Sequence, residues 1–238
     1  MPKSPFVLIP GAFHGGWLWR GIADRLVADG HRVFAPSLSG IADRAASLHS
    51  GINLSSHIDE IAELVRFERL SDAVLVGHSY GGMIVTGVAD RHPDMFRSLV
   101  YCDALVPNDG DTVAELLAPA RKDLFFETAS KEGGGWLVKP VPAQSFDIAT
   151  AADRALVDNL CTPQPLATFI EPIRLTGAWR QVPSLVYVLG ANYRSETLKR
   201  HSAPLRKDPR WQFHELPSGH HPMLDTPDDL ARLLLAAG

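Results

Sequence analysis

The stretch Ala73-Val74-Leu75-Val76-Gly77-His78-Ser79-Tyr80-Gly81-Gly82-Met83-Ile84 decides the fold. Its first four residues are apolar without alternation, as in a strand covered on both faces. Met83, Ile84, Val88 and Ala89 then recur at helical spacing up to His92-Pro93. Between the two lies G-x-S-x-G, a tight strand–turn–helix that lifts a serine clear of a sheet. Gly77 and Gly81 suit a turn whose two arms pack too closely for a Cβ. The helix N-terminus favours negative charge developing beside the Ser79 hydroxyl. Ser79 is therefore the candidate nucleophile; the competing reading is a glycine-rich turn with an incidental serine.

Working outward, Phe6-Val7-Leu8-Ile9, His31-Arg32-Val33-Phe34-Ala35 and Leu99-Val100-Tyr101-Cys102 are further strand-like runs, as are residues 184–189 and 211–216. A helix with the stripe Ile58, Ile61, Ala62, Leu64 and Val65 fits between the second run and the elbow, with Ser56 and Asp59 as its capping box. Thr226, Pro227, Asp228 and Asp229 open a last helix. Strands alternating with helices predict an α/β protein with a mostly parallel twisted sheet flanked by helices. The rhythm breaks after Pro107. Prolines, Gly133-Gly134-Gly135 and helical patches at 113–117 and 154–160 predict a small inserted helical cap over 108–182, leaving 1–107 and 183–238 as the core.

Two more loops carry candidate chemistry. Pro10-Gly11-Ala12-Phe13-His14-Gly15-Gly16-Trp17 follows the first strand and exposes backbone N–H groups. Acyl transfer needs two such donors for its oxyanion, and Ala12 and Tyr80, the residue after the nucleophile, are assigned to it. No phosphate-loop spacing is present. His14 either lines the pocket or stabilises the loop. Ser218-Gly219-His220-His221-Pro222 follows the last strand. His220 is the expected base, with His221 its rival. Adjacent histidines rarely face one ion, so no metal is expected. The acid is less direct, because the loop Gly190-Ala191-Asn192-Tyr193-Arg194-Ser195 contains no carboxylate. Asp103, at the end of the strand next to the elbow strand, is the expected acid, since parallel sheets build sites at their carboxyl ends; against it stands an Asn192 loop or no true acid.

Composition narrows the classes. The chain has 238 residues, 45% hydrophobic and 21% charged, with 23 Lys+Arg against 27 Asp+Glu. That suits a globular domain and disfavours nucleic acid or an anionic membrane as partner. Cys102 and Cys161 cannot build a disulfide framework. No run is long enough to span a bilayer, and Met1-Pro2-Lys3-Ser4-Pro5 does not read as a secretory leader, so a cytoplasmic protein is expected.

These residues resemble the α/β-hydrolase superfamily, most closely the small cofactor-free branch of plant methyl esterases, hydroxynitrile lyases and bacterial aryl and pyrethroid carboxylesterases. The resemblance is carried by residues 6–17, 77–82, Asp103-Ala104-Leu105-Val106-Pro107 and Gly219-His220-His221-Pro222-Met223. It implies a serine hydrolase of small hydrophobic or aromatic esters with an α/β-hydrolase fold and no cofactor. A small-molecule ester is the expected partner, with a homodimer left open. The lyases of that branch carry a threonine and a lysine at positions that look like Gly11 and His221 here, which disfavours a carbon–carbon lyase. A carbamate or amide hydrolase with the same triad, or a poorly catalytic ligand-binding protein, fits the same residues. Phe13, Trp17, Tyr80, Phe125, Phe126, Trp136 and Trp179 are candidate pocket aromatics, with a plain core role as the competing reading for each.

Overall fold

The computed structural model describes residues 3–238, so Met1-Pro2 and any role of theirs in a leader lie outside it. Strands β1 (Phe6–Ile9), β2 (Val33–Phe34), β3 (Ala73–His78), β4 (Phe96–Cys102), β7 (Ser184–Gly190) and β8 (Trp211–Leu216) form one six-stranded sheet in the order β2-β1-β3-β4-β7-β8. Every pairing in it is parallel. The second strand is two residues long, shorter than the five-residue run in the sequence. A second sheet joins β5 (Leu137–Val138) to β6 (Gln164–Pro165), antiparallel.

Residues alternate between two buried faces. Val7, Ile9, Leu75, Leu99, Tyr101 and Tyr187 pack with α2 (Leu54–Phe67) and α3 (Gly81–Arg91). Phe6, Leu8, Val74, Val76, Val100 and Val188 pack with α1 (Arg20–Ala28) and α10 (Pro227–Ala237). Both faces being apolar explains the unbroken hydrophobic runs. The chain steps from β1 outward to β2, then returns past β1 to β3. That reversal opens a crevice at the carboxyl ends of β1 and β3, where parallel sheets bind ligands.

Register fixes what meets there. Ile9 pairs with Gly77, His78 with Cys102, and Cys102 with Val188. The next residues, Pro10, Ser79 and Asp103, therefore emerge side by side. Between β4 and β7 the chain forms α4 (Val113–Leu116), α5 (Pro119–Glu132), α6 (Ala151–Leu160) and α7 (Ala167–Ile170), with the small sheet among them. Helices α8 (Glu196–Ser202) and α9 (Pro222–Asp225) follow β7 and β8. No helix of the described residues is long and apolar enough to cross a membrane.

Two caps differ from expectation. Helix α2 is capped by Asn53, not Ser56: Asn53 Oδ1 accepts Ser56 N–H at 2.8 Å, and Ser56 Oγ accepts Asn53 N–H in return. Asp59 instead pairs with Arg91 of α3. At the last helix Thr226 holds the cap position, but its hydroxyl donates back to Pro222 O at 3.3 Å. Asn53→Ala is expected to lower stability in urea by about 1 kcal/mol. Asp59→Ala, losing an exposed pair, is expected to change it by less than about 1 kcal/mol.

Candidate active site

Ser79 stands at the elbow with φ +52, in the left-handed region that residues with a Cβ rarely adopt. Backbone bonds hold it there. Ser79 O accepts the N–H groups of Gly82 and Leu105, each at 3.1 Å. The arms of the turn nearly touch: a Cβ on Gly77 would lie 2.6 Å from Gly81 O, and one on Gly81 would lie 2.8 Å from Ile9 O.

Asp103 leaves β4 with φ +45 and has no solvent exposure. Its Oδ2 accepts the Nδ1–H of His220 at 2.6 Å, and its Oδ1 accepts the N–H of Gly190 at 3.1 Å. With Nδ1 protonated, His220 presents a bare Nε2. The backbone of His220 is also fixed. Its N–H donates to Phe146 O at 2.9 Å, and its O accepts His78 Nε2–H at 2.8 Å. Phe146 and Tyr193 stack on its ring, with centroids 5.4 and 4.6 Å away. Asn192 is exposed, and its N–H donates to Ser218 O, so the structure brings Asp103 rather than Asn192 to the imidazole.

A cavity of about 410 Å³ opens at this point, lined by Ala12, Phe13, His14, Ser79, Tyr80 and His220, with an upper wall from the segment between β4 and β7. The amides of Ala12 and Tyr80 have no acceptor among the described residues, whereas Phe13 N–H is engaged by Gln164 Oε1 at 2.8 Å.

Several expected pocket residues lie elsewhere. Trp17 belongs to a short 3-10 turn, Gly16–Trp19, and lines a separate groove with Pro36 and Leu64. Trp136 lies in the turn leading to β5, outside the cavity, and its backbone O accepts Leu166 N–H at 2.7 Å. Trp179 is buried against Tyr101 and Trp211, on the sheet rather than in the cavity. Phe125 lines the cavity, but Phe126 is 40% exposed; one residue along a helix turns the side chain by about 100°. Phe146, Phe169 and Tyr193 line the cavity although no sequence pattern marks them as pocket residues. Only Tyr193 carries a signal, its place in the loop after β7.

His221 does not face Asp103. Its Nε2 lies 3.0 Å from His14 Nε2; the His14, His78 and His221 rings pack together, and His78 and His221 also pack against His220. No group of three or more His, Cys, Asp or Glu among the described residues is arranged to hold a metal. Burial pushes His14 down to about 4, against the bond it donates to Ala12 O; His220 adds repulsion. Burial also lowers His78 and His221 well below the ordinary imidazole value, with neighbouring histidines adding to it. His57, on α2 behind Tyr80, is likewise pushed down to about 4 by burial.

A model for the alpha/beta hydrolase family matches residues 6–233. The carbendazim hydrolyzing esterase of Nocardioides sp. (strain SG-4G) is 38% identical over 240 residues, covering 98% of this chain and 99% of that protein. Among solved structures, an extracellular alpha/beta-hydrolase from a Paenibacillus species has a TM-score of 0.82 at 23% identity, covering 99% of each chain. Tomato methylketone synthase I has a TM-score of 0.80 at 20% identity, covering 99% of this chain and 98% of that one.

The buried histidines make stability depend on pH. Folded His14 and His57 stay neutral down to about pH 4, whereas the unfolded chain binds their protons near 6.5. The unfolded state thus holds more protons in that window, and stability falls as pH drops through it. Urea midpoints are expected to decline from pH 6.5 towards 4, with a slope of at most about 1.4 kcal/mol per pH unit for each histidine. His57→Gln should flatten that decline; an unchanged slope would contradict a neutral, buried His57.

Proposed function

The chain belongs to the alpha/beta hydrolase family, and we propose that it is a serine carboxylesterase acting through Ser79, His220 and Asp103. The observation that carries this is the buried Asp103–His220 bond of 2.6 Å beside a cavity that Ser79 shares. The full-length relative named as an esterase supports the same reaction class.

In this reaction His220 Nε2 takes the Ser79 proton as Oγ attacks the ester carbonyl. The tetrahedral oxygen lies between the N–H groups of Ala12 and Tyr80. Each such donor is worth about 10²–10³ in turnover. Protonated His220 then passes its proton to the departing alcohol. Asp103 holds the ring and offsets the imidazolium charge. Water, activated by His220 in turn, hydrolyses the acyl-enzyme. No step draws on a cofactor.

The cavity favours a small ester with an apolar or aromatic group, because Phe13, Phe125, Phe146 and Phe169 line it. Residues 108–182 act as a cap that supplies three of those four rings. Ser79, with His220 and Asp103 in the same roles, can also attack a carbamate or amide. A carbon–carbon lyase is less favoured. A Cβ at Gly11 would lie 2.7 Å from His78 Nδ1, and buried His221 is held neutral beside His14 rather than presenting a cation.

Steady-state hydrolysis of p-nitrophenyl esters of rising acyl length tests this. Multiple turnovers are expected, abolished by Ser79→Ala. Asp103→Asn is expected to lower kcat on the order of 10⁴-fold. A loss below about tenfold would remove Asp103 from the mechanism, and turnover indifferent to Ser79→Ala would remove the esterase itself.

A further inference from the structure

We propose that Gln164 is a positioning residue for the oxyanion site: it holds the peptide next to the Ala12 amide in a strained conformation. This rests on the reading of Ala12 N–H as an oxyanion donor.

Phe13 sits at φ +70, a conformation that bulky residues rarely adopt. Such a residue persists only where its surroundings hold it. The Ala12–Phe13 peptide is tied at both ends. Its carbonyl accepts His14 Nδ1–H at 2.7 Å, and its N–H donates to Gln164 Oε1 at 2.8 Å. The next carbonyl, Phe13 O, accepts Thr162 N–H at 3.1 Å. His14 must carry its proton on Nδ1 to bond a carbonyl, so its Nε2 accepts from His221 Nε2–H at 3.0 Å. One end of the peptide is thus backed by two neutral imidazoles.

The other end is backed by Gln164, 151 residues away in sequence and 1% exposed. Its amide orientation follows from its partners. Thr168 Oγ1 donates to Pro165 O at 2.7 Å, so towards Gln164 it can only accept. Gln164 Nε2–H therefore donates to Thr168 Oγ1 at 2.8 Å, and the side-chain oxygen is left for Phe13 N–H. Without that oxygen, a buried N–H loses its only acceptor and the strain at Phe13 can relax by turning the peptide over. Ala12 N–H, one residue back, then moves off the tetrahedral oxygen. Gln164 lies outside the cavity wall. Its loss should therefore weaken transition-state binding and spare substrate binding.

The test compares Gln164→Leu, which removes the acceptor, with Gln164→Glu, whose buried protonated carboxyl keeps an acceptor and a donor. Ser79→Ala is the control. The readouts are kcat and KM for a p-nitrophenyl ester, and the inhibition constant of an aryl trifluoromethyl ketone that forms an oxyanion on Ser79. Gln164→Leu is expected to lower kcat and ketone affinity together by at least about tenfold, with KM within about threefold of wild type. Gln164→Glu is expected to recover most of both. Wild-type ketone affinity in a folded Gln164→Leu protein overturns the proposal, as does a folded Gln164→Glu protein as defective as Gln164→Leu. If Gln164→Leu does not fold, Thr168→Val, which unhooks the Gln164 amide along with the bond to Pro165 O and leaves Gln164 in place, decides. A joint fall in kcat and ketone affinity supports the proposal, and unchanged affinity overturns it. If Ser79→Ala abolishes turnover and Gln164→Leu resembles wild type, this inference alone fails; if Ser79→Ala retains turnover, the esterase reading fails with it.

Discussion

Asp103 has no solvent exposure, so its carboxylate must be satisfied from inside the protein. One oxygen takes the N–H of Gly190 as β7 ends, and the other takes the Nδ1–H of His220 beyond β8. The residue's own N–H donates to Val188 O at 2.7 Å. Three strand ends thus converge on a single side chain. The orientation of the His220 ring and the course of residues 217–221 over the sheet edge follow from that convergence. So does the placement of a bare ring nitrogen in the cavity that Ser79 lines.

The surrounding histidines sharpen this arrangement. His14, His78 and His221 lie within ring-contact distance of one another, all buried and held neutral. A second positive charge among them would face His220 across a few ångströms of low-dielectric interior. His220 alone in the cluster has a carboxylate beside it. The other three have no counter-ion, while Phe146 and Tyr193 cover the His220 ring with aromatic faces.

What can be read from the sequence is local in origin. The elbow, the apolar runs and the glycines at Gly77 and Gly81 are signals contained within a dozen residues, and they locate the sheet, the serine and its helix. Asp103 follows from a topological rule about strand ends, not from its neighbours. The cap of α2 lies three residues from its expected place because Asn53 and Ser56 are both good capping types and only the return bond from Ser56 separates them. Between β4 and β7 the sequence is least informative. Phe146, Phe169 and Gln164 matter through contacts with residues far away in the chain, and no period marks them. The tryptophans depart from expectation for the same reason: ring size suggests a pocket, but the phase of a turn or a sheet face decides where each ring goes.

Phe13, Ser79 and Asp103 share a property that none shows in isolation. Each is a non-glycine residue in the left-handed region, and each follows the end of a neighbouring strand in the middle of the sheet. Such conformations cost of order 1 kcal/mol or more apiece. The rim of the sheet is therefore under tension at the points where chemistry is to be done, and the packed layers beneath supply the surplus that holds it there. Glycine at any of the three would relax the backbone while deleting the side chain that gives the position its purpose. Durability and reactivity are in opposition along this edge, and selection for a hardier molecule would find its gains in the helices and outer loops.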